Sequence, residues 1–208
     1  MSFALTDARQ KSVLASPTKL GRHASYTWRV TNPLEEIMGL ITPNSITDFQ
    51  SLYTLQLRYL LSTETQVLKG LDSMIAHASD VQLKQAFQSH RQETEVHATR
   101  LEGLIAQLND GDADDKKDAI ATALIASGDN IVSESEEGAV RDAGLLATAQ
   151  KIEHYEIASY GSARAWALEL GFNKQAELLE MTLNEEKHAD ELLSTIADRA
   201  NQTAVVGG

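Results

Sequence analysis

An all-α four-helix bundle with one long crossover is the fold class that this sequence predicts. Three observations carry the prediction. Apolar residues recur every three to four positions along four long stretches, which is the period of an amphipathic helix. All three prolines, Pro17, Pro33 and Pro43, precede residue 45, leaving those stretches free of the commonest helix breaker. The connections between the stretches run short, long, short.

The first long helix begins after Asn44, where Ser45 with Asp48, or Thr47 alone, can cap it. Its stripe is Tyr53, Leu57, Leu60, Val67, Leu71 and Met74. Ser79-Asp80-Val81-Gln82 reads as a capping box for the second helix, whose stripe is Leu83, Phe87, His90, Thr94, His97, Leu101, Leu104 and Leu108. Asn109-Asp110-Gly111-Asp112 stops it. Residues 110–137 are acidic and polar around one weak apolar helix, Ile120 to Ile131. The third long helix runs from about Ala139 to Leu170 and ends at Gly171. The fourth runs from about Asn173 to Ala200. At 1.5 Å per residue each spans roughly 40–48 Å. The short links make two antiparallel hairpins, and the long link reaches from one end of the bundle to the other. This is the connection pattern of a ferritin-like bundle with a crossover containing a short helix.

The predicted organisation is an N-terminal arm over residues 1–45, the bundle over 46–200 and a flexible tail over 201–208. The arm has short helical pieces around Thr6–Leu14 and Leu34–Ile41. It is read as partly ordered or as packing on a neighbouring subunit, with Trp28 and Ile37–Ile41 as anchors.

Composition narrows the chemistry. The chain of 208 residues is 42% hydrophobic, enough for a sizeable core. It has no cysteine, which excludes disulfides, cysteine nucleophiles, thiolate zinc sites and iron–sulfur clusters. Eighteen Lys and Arg against 30 Asp and Glu give a net charge of -12, a surface that repels nucleic-acid phosphates and anionic membranes. No transmembrane span or secretory signal is legible, so cytoplasmic residence is the expectation.

Carboxylates interrupt the apolar stripes at mid-helix. Glu64 lies between Leu60–Leu61 and Val67–Leu68. His90, Glu93 and His97 fall at i, i+3 and i+7 on the second helix. Glu153 and Glu156 interrupt the third stripe among Leu146, Ala149, Tyr160 and Ala163. Glu185, Glu186 and His188 sit on the fourth, between Leu178–Leu179 and Leu192–Leu193. A lone buried carboxylate costs several kcal/mol or takes up a proton. Several together repel one another, and two divalent cations sharing bridging carboxylates remove both penalties. Oxygen and imidazole donors without thiolate suit iron most, with manganese or zinc as alternatives. Glu64 and one glutamate of the third helix are the expected bridges. The Glu-x-x-His spacing of paired-metal bundles occurs once within a candidate stripe, at Glu185–His188. Other groups have plainer readings: His154 as a surface or outer residue, His77 as a partner of its helix dipole, and Tyr53, Tyr59 and Tyr160 as core residues.

Several stretches follow one another in a recognisable order: Glu64-Thr65-Gln66 with Leu71, and Ala86-Phe87 with His90, Glu93 and Thr94. Then come Arg141-Asp142-Ala143, the run from Ala149 through Gly161, and Leu183-Asn184-Glu185-Glu186-Lys187 with Asp190. On these residues the chain, from 48 to about 199, resembles the YciE/YciF-type ferritin-like family (DUF892). The resemblance implies a central di-metal site in a dimeric bacterial protein linked to stress responses. It implies ligands from Glu64, His90 or Glu93, Glu153, Glu156 and Glu185 or Glu186. His97 and His188 stand outside the family's usual pattern, and the arm lies outside the match.

The leading functional expectation is a di-iron protein with oxygen or peroxide redox chemistry, supplied by an external electron donor because no internal thiolate iron domain exists. Manganese catalase-like disproportionation of peroxide is the alternative within that chemistry. A non-enzymatic structural or interaction protein with a vestigial metal site is the alternative outside it. A cage-forming iron store is set against these by the likeness to a smaller assembly. Protection of DNA finds no support in so acidic a chain.

Overall fold

A computed structural model describes residues 46–108 and 116–207. Five helices lie among them: α1 Phe49–His77, α2 Val81–Gln107, α3 Ala119–Glu134, α4 Ala139–Glu169 and α5 Asn173–Gly207. Four are long, and α3 is the short crossover helix between the hairpins. The expectations for residues 1–45, and the stop signal at 109–112, lie outside the described residues. No described helix is long and apolar enough to cross a membrane.

The helix ends follow from local chemistry. Asp48 caps α1 by accepting the Ser51 amide at 2.7 Å. The cap of α2 is Asp80, whose Oδ1 accepts the Leu83 amide at 2.9 Å, so the helix starts one residue later than a box centred on Ser79 predicts. The reason is tertiary: Asp142 of α4 accepts the amides of Ser79 at 2.7 Å and Asp80 at 2.8 Å, holding that turn from outside. Gly171 closes α4 at φ +77°, with Phe172 N–H donating to the Ala167 carbonyl and Gly171 N–H to that of Leu168. This is a Schellman ending, and a side chain there would be strained. Helix α5 continues to Gly207, past the Ala200 end predicted from its stripe. Residues 201–206 contain neither Gly nor Pro, so each adds a backbone bond to an existing helix although Val205 and Val206 are exposed.

Contacts at the helix ends give the directions. Tyr53, early in α1, donates to Gln175, early in α5, at 2.8 Å. Arg199, late in α5, and Asp142, early in α4, both meet Asp80. Helices α1 and α5 therefore run one way and α2 and α4 the other. Helix α3 lies over the α1–α4 groove. Ile131 sits where a Cβ on Gly144 would approach to 2.6 Å, and Ile125 packs on Gly70, so α3 seats itself on backbone.

The core has two apolar halves. Val67, Leu71, Phe87, Leu145, Leu146, Leu193 and Ile196 build one; Tyr53, Leu57, Leu60, Leu101, Leu104, Tyr160 and Leu179 build the other. Along each long helix the change from one half to the other falls at the polar interruption of its stripe.

Buried Asp142 binds two amides across 62 and 63 residues of sequence. Asp142→Ala should lower the unfolding free energy by roughly 2–4 kcal/mol, since charge-assisted bonds are lost and two donors orphaned. Urea denaturation checks this as a lower midpoint at unchanged slope; a loss under about 0.5 kcal/mol, the range of ordinary surface changes, would show that the turn holds itself.

Candidate metal centre

Between the two apolar halves the long helices turn carboxylates and imidazoles toward one another. His90, Glu153, Glu156 and Glu186 each offer one ligand atom, all lying within 4.8 Å of one another. Glu64, His97 and Glu186 make a second such group. Glu186 belongs to both, so the shared position falls to α5 and not, as the stripes suggest, to Glu64 and a glutamate of α4, each of which joins one group only. All six residues are buried, with Glu64, His97, Glu156 and Glu186 at 0% exposure.

Helix geometry explains the selection. His90 and His97 are seven residues apart, nearly two whole turns, so they share a face. Glu153 and Glu156 sit one turn apart on α4. His90 Nε2 lies 3.2 Å from Glu153 Oε1 and 3.8 Å from Glu186 Oε2. His97 Nδ1 lies 2.9 Å from Glu186 Oε1 and 3.8 Å from Glu64 Oε1. Tyr160 donates its hydroxyl to Glu64 Oε1.

Proximity here does not amount to hydrogen bonding. Glu64 Oε2, Glu153 Oε2, both carboxylate oxygens of Glu156 and Glu186, both ring nitrogens of His90 and Nδ1 of His97 are buried without a hydrogen bond. Such groups normally find partners, and each orphan costs about 1–3 kcal/mol or more when charged. The donor set is carboxylate oxygen and imidazole nitrogen, aimed inward from four helices. That is the chemistry a divalent cation requires, and the residues fit one in each group.

Titration behaviour reflects the crowding. Burial pushes the carboxyls of Glu153 and Glu156 well above the usual range; the negative charge of Glu186 adds to this, while His90 pulls Glu153 back. Burial raises Glu64 as well, against the opposing effect of His97. Burial alone would lower both histidines. The Glu153 charge and Glu93 reverse this for His90, raising it to about 9, and Glu186 and Glu64 raise His97 to about 10.

Three predicted residues do not join either group. Glu185 is next to Glu186, a rotation of about 100° on a helix, and faces Arg100, which binds it through both guanidinium nitrogens. Its Oε2 also lies 3.0 Å from His97 Nε2, so it holds the outer side of that ring. Arg100 keeps the Glu185 carboxyl below its ordinary range. His188 is exposed, two residues past Glu186 on the opposite side, so the Glu185–His188 spacing does not form the pair it predicts. Glu93 sits on the flank of α2, its side chain 43% exposed and Oε2 3.7 Å from His90 Nδ1. His154 is exposed, 3.6 Å from Asp190, and His77 Nδ1 meets its own helix at the Ser73 carbonyl. Tyr160 is both a core residue and the hydroxyl partner of Glu64.

Sequence reasoning missed Asp118. It is buried, caps α3 through the amides of Ile120 at 2.7 Å and Ala121 at 3.0 Å, and accepts the hydroxyls of Thr63 and Tyr155. An Asp directly before Ala119-Ile120 is the visible capping signal. Its two long-range partners have no sequence signature.

Fold and site together define a ferritin-like bundle whose core carries two His/Glu clusters able to hold divalent metal. Residues 48–205 match the family described as Domain of unknown function (DUF892), and the chain belongs to it. It is 37% identical over 136 residues to Protein YciF of Escherichia coli K12, covering 65% of this chain and 82% of that protein. The crystal structure of the E. coli stress protein YciF superposes with a TM-score of 0.72 at 32% identity, covering 76% of this chain and 99% of the other. YcfI of Rhodopseudomonas palustris superposes at 0.70 with 34% identity, covering 74% and 98%.

Proposed function

We propose that this chain is a paired-metal redox protein holding two divalent cations, iron above manganese or zinc, in the layer between its apolar halves. His90, Glu153 and Glu156 would hold one cation and Glu64 and His97 the other, with Glu186 available to both. The observation that carries the reading is Glu186: one fully buried carboxylate, without a hydrogen bond at either oxygen, common to two ligand groups. Iron held there would supply redox chemistry toward oxygen or peroxide, with an external electron donor as the proposed partner.

The chain's own residues set the conditions. Glu185 and Arg100 fix the outer nitrogen of His97, leaving Nδ1 toward the interior. Tyr160 keeps a proton at Glu64 Oε1. The apolar halves exclude bulk water from above and below, which strengthens every charge interaction inside. The name of the E. coli relative supports a role under stress, and a cytoplasmic homodimer is the assembly proposed.

Anaerobic reconstitution of full-length protein with ferrous iron, followed by elemental analysis, tests the reading. Two irons per chain, with oxygen or peroxide consumed on exposure, is the expected result. Oxygen release from peroxide by the manganese form alone would move the chemistry to disproportionation. Reproducible absence of tight metal would make the bundle a scaffold with a vestigial site.

A further inference from the structure

We propose that the cleft between α2 and α5 is the route by which a hydrated divalent cation enters, with Glu93 as the carboxylate that first captures it. The proposal rests on the paired-cation reading and deepens it. A cavity of about 90 Å³ opens between these helices. Its polar walls are Ser89, His90 and Glu93 of α2, His188 of α5 and Glu153 behind them, set among apolar sides that include Phe87, Leu192 and Leu193. That volume holds a few water-sized species, against the roughly 10–15 Å³ that one requires.

His90 and, behind it, Glu153 are shared by the cleft and the first ligand group. His90 is 6% exposed, and neither ring nitrogen has a hydrogen bond. Nδ1 faces Glu93 at 3.7 Å, and Nε2 faces Glu153 at 3.2 Å. One imidazole therefore presents a nitrogen to the cleft and a nitrogen to the interior. Glu93 is half-buried at the outer end, and exposed His188 supplies a second donor there. Two of the three predicted residues left out of the ligand groups, Glu93 and His188, thus gain a place at the opening.

The opposite side of His90 offers no such passage. The cavity there is only about 10 Å³; it reaches His90 and Glu153 too, but its other walls are apolar, among them Val67, Leu71, Met74 and Ile152. Helix α3 covers that face, with Ile125 against Gly70. An apolar gap of that size cannot pass a hydrated ion. Among the described residues no helix lies over the α2–α5 groove.

The test is stopped-flow uptake of Co²⁺, followed by its absorption, into full-length metal-free protein. Glu93→Gln removes the capturing charge, and Ser89→Trp plugs the opening from an exposed position that leaves the core untouched. Each should slow uptake about tenfold or more, the scale by which a charged cleft raises ion encounter, while reaching the wild-type final stoichiometry. Glu93→Gln should also flatten the dependence of the rate on ionic strength. Glu95→Gln, on the same helix but paired with Arg91, should leave the rate unchanged. Wild-type rates in both cleft variants, or equal slowing by Glu95→Gln, would overturn the route while the centre stands. Lost stoichiometry in Glu93→Gln would make it a resident ligand and overturn the capture role. No Co²⁺ bound by wild-type protein would overturn the paired-cation reading and the route with it.

Discussion

Replacing Glu186 by alanine should empty both halves of the centre at once. Every other residue of the two groups belongs to one group only, so Glu64→Ala or Glu153→Ala should weaken one cation more than the other. Glu186 is the common member, and without it the first group keeps three ligands and the second only Glu64 and His97. Loss of an orienting group outside the metal already costs about 10–100-fold in affinity, and loss of a direct shared ligand exceeds that. Stoichiometry by elemental analysis should fall from two per chain to below one. Stability supplies a second readout. Without metal, removing Glu186 relieves repulsion of Glu64, Glu153 and Glu156 but takes away the carboxylate 2.9 Å from His97 Nδ1, so the two effects oppose each other. The readout is therefore the response to cation: the melting temperature of Glu186→Ala should gain nothing from added cation, whereas that of the wild type rises. Two ions still bound tightly by the variant would end the bridging role.

The metal-free protein should lose stability as pH rises, and the metal-loaded protein should not. His90 and His97 have folded values raised to about 9 and about 10 above an unfolded value of 6.5. Their contribution is fully present below pH 6.5 and is lost as pH rises through the folded values. The carboxyls of Glu64, Glu153 and Glu156 are also raised, so the fold retains protons that the unfolded chain releases above 4.5. Both sets act in the same direction between about pH 5 and 9. Two extra protons held across two pH units correspond to roughly 5 kcal/mol, or about 10–20 °C in a domain of this size. Cations displace those protons, so binding releases acid and tightens with pH. A free cation concentration of 1,000 times Kd adds about 4 kcal/mol to the loaded form. Thermal melts at pH 5.5, 7 and 8.5, with and without metal, check both trends. A metal-free melting temperature that climbs over this range would show that the cluster carries no excess protons.

How much of this was legible in the sequence divides along the helix period. The stripes of α1 and α2 identify their buried faces, because Leu60 to Val67 and Phe87 to Leu101 each leave one rotation for the polar residues between them. Glu64, His90 and His97 follow from that phase alone. The choice between Glu185 and Glu186 does not. Leu178–Leu179 and Leu192–Leu193 are adjacent pairs at both ends, so either phase satisfies the pattern, and only packing shows that Leu179 and Leu193 face inward. Helix α2 starts one residue past the box at Ser79 because Asp142 holds Ser79 and Asp80 from another helix, and local capping rules do not see that far. The cap at Asp118 is local and legible, but its bonds to Thr63 and Tyr155 are not, for the same reason.

Asp118 also changes what the crossover is for. Its carboxylate grips Thr63, the residue before Glu64, and Tyr155, the residue before Glu156, while starting α3 with its other oxygen. The gap between two candidate ligands on different hairpins is thereby gauged by a residue outside both. The crossover acts as a caliper closed on the bundle at the height of its centre. The distance between Glu64 and Glu156 is referred to one fixed jaw, Asp118.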